Sequence, residues 1–159
     1  MTPPGSVRQF LEDQHELLEL RLVALERAVR AHALTDAGQR LAGFRGHLAR
    51  YVRTEERLLF PMYDHVAAAA VESTATATPT ARMRDEHAGL GRLVAEIGGL
   101  LARGDADTSL LALGTLRSLL LVHGTKEAWI IYPRVAGALS TTMEDALVSD
   151  LRAGVPLAC

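Results

Sequence analysis

Apolar residues recur along this chain at intervals of three and four, in four long runs divided by clusters of Gly, Pro, Ser and Thr. That spacing marks helices with one face turned to a core. The first run predicts a helix from Ser6, with Gln9 placed to complete a capping box, to about His32; its stripe is Leu11, Leu18, Leu22, Leu25 and Val29. The second follows Thr35 and carries Leu41, Phe44, Leu48, Val52 and Leu59 past Pro61 to Val71. Pro61 should kink or break it, since proline brings no amide hydrogen to the helical ladder. After the linker "ESTATATPT" a third run extends from about Thr80 to Arg103, closed by Gly104. A fourth starts near Asp107 and continues through "SLLALGTLRSLLLVHGTKEAWIIYPRV". A short fifth element, "TTMEDALVSDLR", opens on a Thr141/Glu144 capping box and stops at Gly154. With no strand signal and short connections, the expected fold is all-α: an up-down-up-down four-helix bundle with a short extra C-terminal helix. One domain spans residues 1–159, with the bundle over about 6–138 and the last helix over about 141–153.

Composition narrows the function classes. A chain of 159 residues carries one domain with a real core. Its formal charge of −2 gives no electrostatic reason to meet nucleic acid or an anionic membrane, and its arginines are spread over polar helix faces without forming a block. The single cysteine, Cys159, cannot close an intramolecular disulfide, and "MTPPGSVRQF" has no basic segment followed by an apolar core. No apolar stretch approaches the roughly 20 residues that span a bilayer. The expectation is a soluble, cytoplasmic protein.

The chemistry lies in polar residues that sit where apolar ones belong. On a helical wheel Glu55 falls in the middle of the stripe of Phe44, Leu48, Leu59 and Met62, and Glu127 in the middle of that of Leu116, Leu120 and Ile131. A carboxylate aimed into a core is costly unless it is paired, protonated or bound to metal. The two segments are near-copies: aligning Pro61 with Pro133 puts Glu55 on Glu127, and four residues upstream one copy has Tyr51 and the other His123. The other two helices each set a histidine beside their own stripe, His15 in "LEDQHELLEL" and His87 in "MRDEHAGLGRL". Each helix thus points a ligand-type side chain towards a shared interior, and imidazole with carboxylate suits iron, manganese or zinc. Carboxylates can bridge two ions, which favours a dinuclear site. His32 and His65 lie near helix ends and read as surface residues, whereas Trp129 and Phe60 read as packing.

Taken in order, "DQH", "EERLLFP", "DEH" and "HGTKEAWIIYP" resemble the signatures of the hemerythrin-like family, also called the HHE cation-binding domain. The resemblance covers roughly Val7 to Val135, and the chain looks like actinobacterial members, mycobacterial ones included. It implies two iron ions inside the bundle, a non-haem diiron centre bridged by an oxo or hydroxo group and two carboxylates. Carried over residue by residue, it implies His15, Glu55, His87, His123 and Glu127 as ligands, with the two glutamates as bridges. Two positions depart from the family pattern. Histidine is usual where Tyr51 stands, and many members have a second histidine where Gly91 stands. His47 and Glu19 are the candidates to make up the ligand number. His47 lies one turn before Tyr51 and about 12 Å of helix rise from Glu55, and Glu19 lies four residues after His15; both face the edge of a stripe.

Tyr51 bears on reactivity. In the histidine slot a tyrosine can ligate as a phenolate or donate a hydrogen bond to the bridging oxygen; a third reading makes it filler. Either of the first two weakens the case for reversible oxygen storage and suits peroxide or nitric oxide chemistry. The resemblance therefore implies a diiron oxidoreductase, catalase-like towards hydrogen peroxide or reacting with nitric oxide. Its partner is a small peroxide or diatomic ligand, with no nucleic acid and no membrane. The alternative is a module that binds oxygen, or senses oxygen or iron, without turnover. Ferritin-like iron storage fits least, since it uses paired Glu-x-x-His elements and only Glu12 to His15 matches here.

Overall fold

The computed structural model describes residues 5–70 and 78–154, so most of the linker, and Cys159, lie outside the described residues. Among the described residues all regular structure is helical: α1 Val7–Arg30, α2 Leu34–Thr54, α3 Phe60–Ala69, α4 Pro79–Ala102, α5 Ala106–Lys126, α6 Tyr132–Ala136 and α7 Thr141–Gly154. Two π-helical turns, Glu55–Leu59 and Glu127–Ile131, join α2 to α3 and α5 to α6.

Local chemistry explains the boundaries. Side-chain oxygens of Ser6, Thr78 and Asp105 accept from the amides of Gln9 (3.1 Å), Ala81 (3.2 Å) and Thr108 (3.0 Å), capping α1, α4 and α5. The Ser6 box is half formed, because the Gln9 side-chain amide donates to Asp13 at 2.8 Å instead of turning back. At the other end, α1 and α4 close alike. The amides of His32 and Ala33 donate to the carbonyls of Val29 and Ala28, as those of Gly104 and Asp105 do to Leu101 and Leu100. The residue that turns the chain out is left-handed in both, with φ 76° at Gly104 and φ 54° at His32. The expected Thr141/Glu144 box does not form. Ser140 Oγ accepts from the Met143 amide at 3.3 Å, while the Glu144 carboxylate accepts from the Val7 amide at 3.1 Å. The first turn of α1 has donors with no partner inside the helix, and α7 supplies one.

The four long helices form a closed ring: α1 packs on α2 and α5, and α4 packs on the same two. Leu22, Leu25, Phe44, Ile97, Leu113 and Leu116 are fully buried inside it. α7 lies against α1, α2 and the first π turn, burying Leu147, Val148 and Leu151. α5 is apolar on its outer face too, leaving Leu111 and Leu121 75% and 72% exposed. Trp129 does not pack, contrary to the sequence reading. It is 78% exposed, because two residues beyond the inward Glu127 a helix points nearly the opposite way. No helix among the described residues is long and apolar enough to cross a membrane.

The chain stays helical through both prolines. The amides of Phe60 and Tyr132, each just before a proline, donate to the carbonyls of Glu55 and Glu127, five residues back. The wider turn moves the proline ring off the carbonyl it would strike in a regular α-helix. It also rotates the rest of the helix by one position. Phe60 and Tyr63 are buried, whereas Met62, which the regular wheel places inward, is half-buried.

The left-handed His32 carries a cost that Gly104 avoids, since a Cβ crowds the backbone in that conformation. His32→Gly is expected to stabilise the fold by about 1 kcal/mol, raising the thermal midpoint by roughly 2–4 °C, and His32→Ala is expected to give no gain. Equal melting curves for the Gly and Ala variants would refute this account.

Candidate metal centre

Helix spacing brings the chemistry together. Glu55 and Glu127 are the first residues of the two π turns, and His123 lies one turn before Glu127 on the same face. α4, which packs on both α2 and α5, presents His87. Ligating atoms of Glu55, His87, His123 and Glu127 all lie within 4.8 Å of one another, and all four residues are buried. His87 Nε2 is 3.2 Å from Glu55 Oε2 and 2.9 Å from His123 Nε2, which is 2.9 Å from Glu127 Oε1. The other oxygen of Glu127 faces a second group: Oε2 lies 2.7 Å from His15 Nε2 and accepts from the Tyr51 hydroxyl at 2.8 Å. Tyr51 Oη and His15 Nε2 are 3.0 Å apart. Glu127 therefore spans two donor sets, a pair of imidazoles on one side and an imidazole with a phenol on the other.

Two further carboxylates orient the rings. His87 Nδ1 is 2.8 Å from Glu56 Oε1, and His123 Nδ1 is 2.9 Å from Glu86 Oε2; Glu86 is also gripped by Lys126. A carboxylate only accepts, so each Nδ1 carries a proton and each Nε2 is left facing the interior. Phe60 stacks on His87, with centroids 5.4 Å apart and planes 10° from parallel, and holds that ring in place. The sequence reading missed Glu56 and Glu86. The available signals were the adjacent Glu of "TEERL" and the Glu beside His87 in "DEH", which serves the histidine of the next helix. It also missed Gly124. A Cβ there would lie 2.6 Å from the His15 ring, so the close approach of α5 to His15 requires a glycine.

The remaining candidates lie elsewhere. His47 is buried but not in the cluster; its Nε2 is 2.9 Å from Gln14 Oε1, and burial, with the charges of Arg21 and Arg50, lowers its pKa to about 4. Glu19 pairs with Arg117 at 2.9 Å. Gly91 is exposed, and a Cβ built on it meets nothing within 4 Å.

The electrostatics call for a cation. Both oxygens of Glu55, and Oε1 of Glu127, are buried without a hydrogen-bond partner among the described residues, the nearby imidazoles being close but poorly aligned. Burial pushes the Glu55 carboxyl well above the usual carboxylate range, and the charge of Glu127 adds to that. Burial acts the same way on Glu127, but His123 and His15 outweigh it and hold that group well below the usual range. His87 is lowered, foremost by burial; at His123 burial is outweighed by Glu127 and Glu86, and its pKa rises. A metal ion bound there would satisfy the orphaned oxygens and the facing Nε2 atoms at once. The residues present fit such an ion.

Fold and site define a helical protein with a buried carboxylate–imidazole cluster able to hold metal. Residues 6–135 match the family model of the hemerythrin HHE cation binding domain. The chain belongs to that family. Comparison with curated proteins found no match, and comparison with solved structures found none.

Because Glu86 fixes the tautomer of His123, Glu86→Ala is expected to weaken metal binding by about 10–100-fold while leaving helicity unchanged. The exposed neighbour Asp85 makes the control, Asp85→Ala. Metal titration followed by circular dichroism reads both, and equal affinities in the two variants would remove Glu86 from the site.

Proposed function

We propose that the ring of helices is an up-down-up-down four-helix bundle holding a pair of irons, and that this centre reacts with hydrogen peroxide in a catalase-like way or with nitric oxide. The short connections Ala31–Ala33 and Arg103–Asp105 favour antiparallel neighbours, which supports the bundle. His87 and His123 would hold one iron and His15 and Tyr51 would face the other, with Glu55 and Glu127 shared between them. Bound there, the irons supply the electron changes by which two hydrogen peroxide molecules become dioxygen and two waters, or by which nitric oxide is captured. The reading places the protein in the cytoplasm, with a peroxide or a diatomic gas as its ligand.

One observation carries this choice: the Tyr51 hydroxyl stands 2.8 Å from Glu127 Oε2 and 3.0 Å from His15 Nε2, where the family usually has an imidazole. Tyr51 is 1% exposed. Burial, then the charges of Glu127 and Glu55, push its pKa well above the ordinary phenol value, so it keeps its proton and donates it to Glu127. Cleavage of a peroxide bond is assisted by a proton delivered beside the leaving oxygen, and a placed phenol can supply it. Phe10 packs beside the Tyr51 ring, with centroids 6.4 Å apart. The His15 side chain is 30% exposed, so the group beside the buried phenol reaches the surface.

Metal analysis with an absorption spectrum, followed by peroxide and nitric oxide addition, tests the reading. Purified protein is expected to carry a pair of irons per chain, and Glu55→Ala or Glu127→Ala to lose most of the metal. The bundle should stay helical in both, since its apolar stripes remain. Full loading in the double Ala variant would sink the assignment.

Tyr51→Phe is expected to keep its iron and to consume peroxide about a hundredfold more slowly, as loss of a placed proton donor predicts. Tyr51→His restores the family's usual residue and should move the centre towards reversible oxygen binding. If wild type, Phe and His variants behave alike, the tyrosine is filler.

A further inference from the structure

A groove of about 530 Å³ runs between α1 and α5 and ends on His15. Its volume falls within the roughly 300–1,000 Å³ typical of sites for small organic molecules. A peroxide or diatomic gas needs little more space than a water molecule, about 30 Å³. Leu18, Leu120, Leu121 and Ala128 give it apolar walls, and Trp129, the only tryptophan of the chain, stands on its rim. The cation in its lining is already engaged, Arg117 pairing with Glu19 at 2.9 Å and with Glu26 at 3.1 Å, and Glu16 adds a second carboxylate to the lining. Its inner end is polar, where His15 reaches Glu127 at 2.7 Å, and the missing side chain at Gly124 lets the groove wall lie directly against the His15 ring.

We propose that this groove binds an uncharged organic molecule with an apolar body and one hydrogen-bonding oxygen, such as an alkyl or aryl hydroperoxide, oriented so that the oxygen meets His15. This deepens the proposed function by naming a substrate class, and it rests on that reading for what happens after binding. Apolar walls leave a charged ligand undersolvated and the Glu16 and Glu19 carboxylates repel an anion, whereas an aryl body loses water-exposed surface along Leu121 and Trp129. The polar head is then delivered to His15, the half-buried histidine in contact with the buried Glu127.

Cumyl alcohol, which has the shape of cumyl hydroperoxide but no peroxide bond, probes binding without turnover. Added to the purified protein, it is expected to shift the emission of the exposed Trp129 to the blue, saturably. Leu121→Asp charges the wall and Ala128→Phe fills it, and each should weaken that binding by about tenfold, or 1.4 kcal/mol. Both variants should retain wild-type metal content. tert-Butylbenzene, which replaces the hydroxyl with a methyl, should bind more weakly than the alcohol if the head meets His15. No saturable shift in the wild type, or equal affinity in wild type and both variants, overturns the proposal; equal binding of the two probes overturns the orientation. Repeating the titration after metal removal separates the two questions. Probe binding with no iron present in the purified protein would refute the metal reading alone, and full iron with no probe binding would refute the groove alone.

Discussion

Two carboxylates in a hydrocarbon core are the constraint on which the rest of this structure depends. Glu55 and Glu127 are fully buried, and between them three oxygens have no hydrogen-bond partner among the described residues. Isolated, such groups would destabilise a fold whose net stability is only about 5–15 kcal/mol. Their surroundings are organised around that cost. His87, His123 and His15 close on the glutamates, Tyr51 donates to one of them, and a second layer of carboxylates, Glu56 and Glu86, fixes how two of the rings face. A site of this kind is stable only when charges of both signs are assembled together, which ties the closure of the helix ring to the occupancy of its centre.

The same backbone device appears twice. "EERLLFP" and "EAWIIYP" each place a glutamate at the start of a wide turn and a proline just after it. The proline excludes a regular turn and the wide turn accepts it, so the helix can continue while its inward face advances by one residue. In the first copy this brings Phe60 onto His87. The repetition gives the centre an approximate pairing of halves, and Tyr51 against His123 is where the halves part. One half is sealed by two imidazoles, each backed by a carboxylate. The other has an imidazole open to the α1–α5 groove and a phenol that keeps its proton. The chemistry assigned to the protein rests on that asymmetry.

Much of this was legible in the chain alone. Periodicity located the long helices, and the caps Ser6 and Gly104 marked their ends, because each depends on contacts within a few residues. The inward positions of Glu55 and Glu127 could be read for the same reason: a wheel needs no knowledge of neighbours. Tertiary structure decided what depends on proximity between helices. It separated His47, held by Gln14, from the cluster that its spacing in sequence suggested, and it sent Glu19 to Arg117. It recruited Glu56 and Glu86, whose partners lie on other helices, and it made a glycine of α5 the neighbour of a histidine of α1. The π turns escaped the wheel, which assumes one period throughout, and so Met62 was misplaced. A sequence determines which side chains face inward along each helix; which of them then meet is decided by how the helices pack, since that fixes distances no single helix contains.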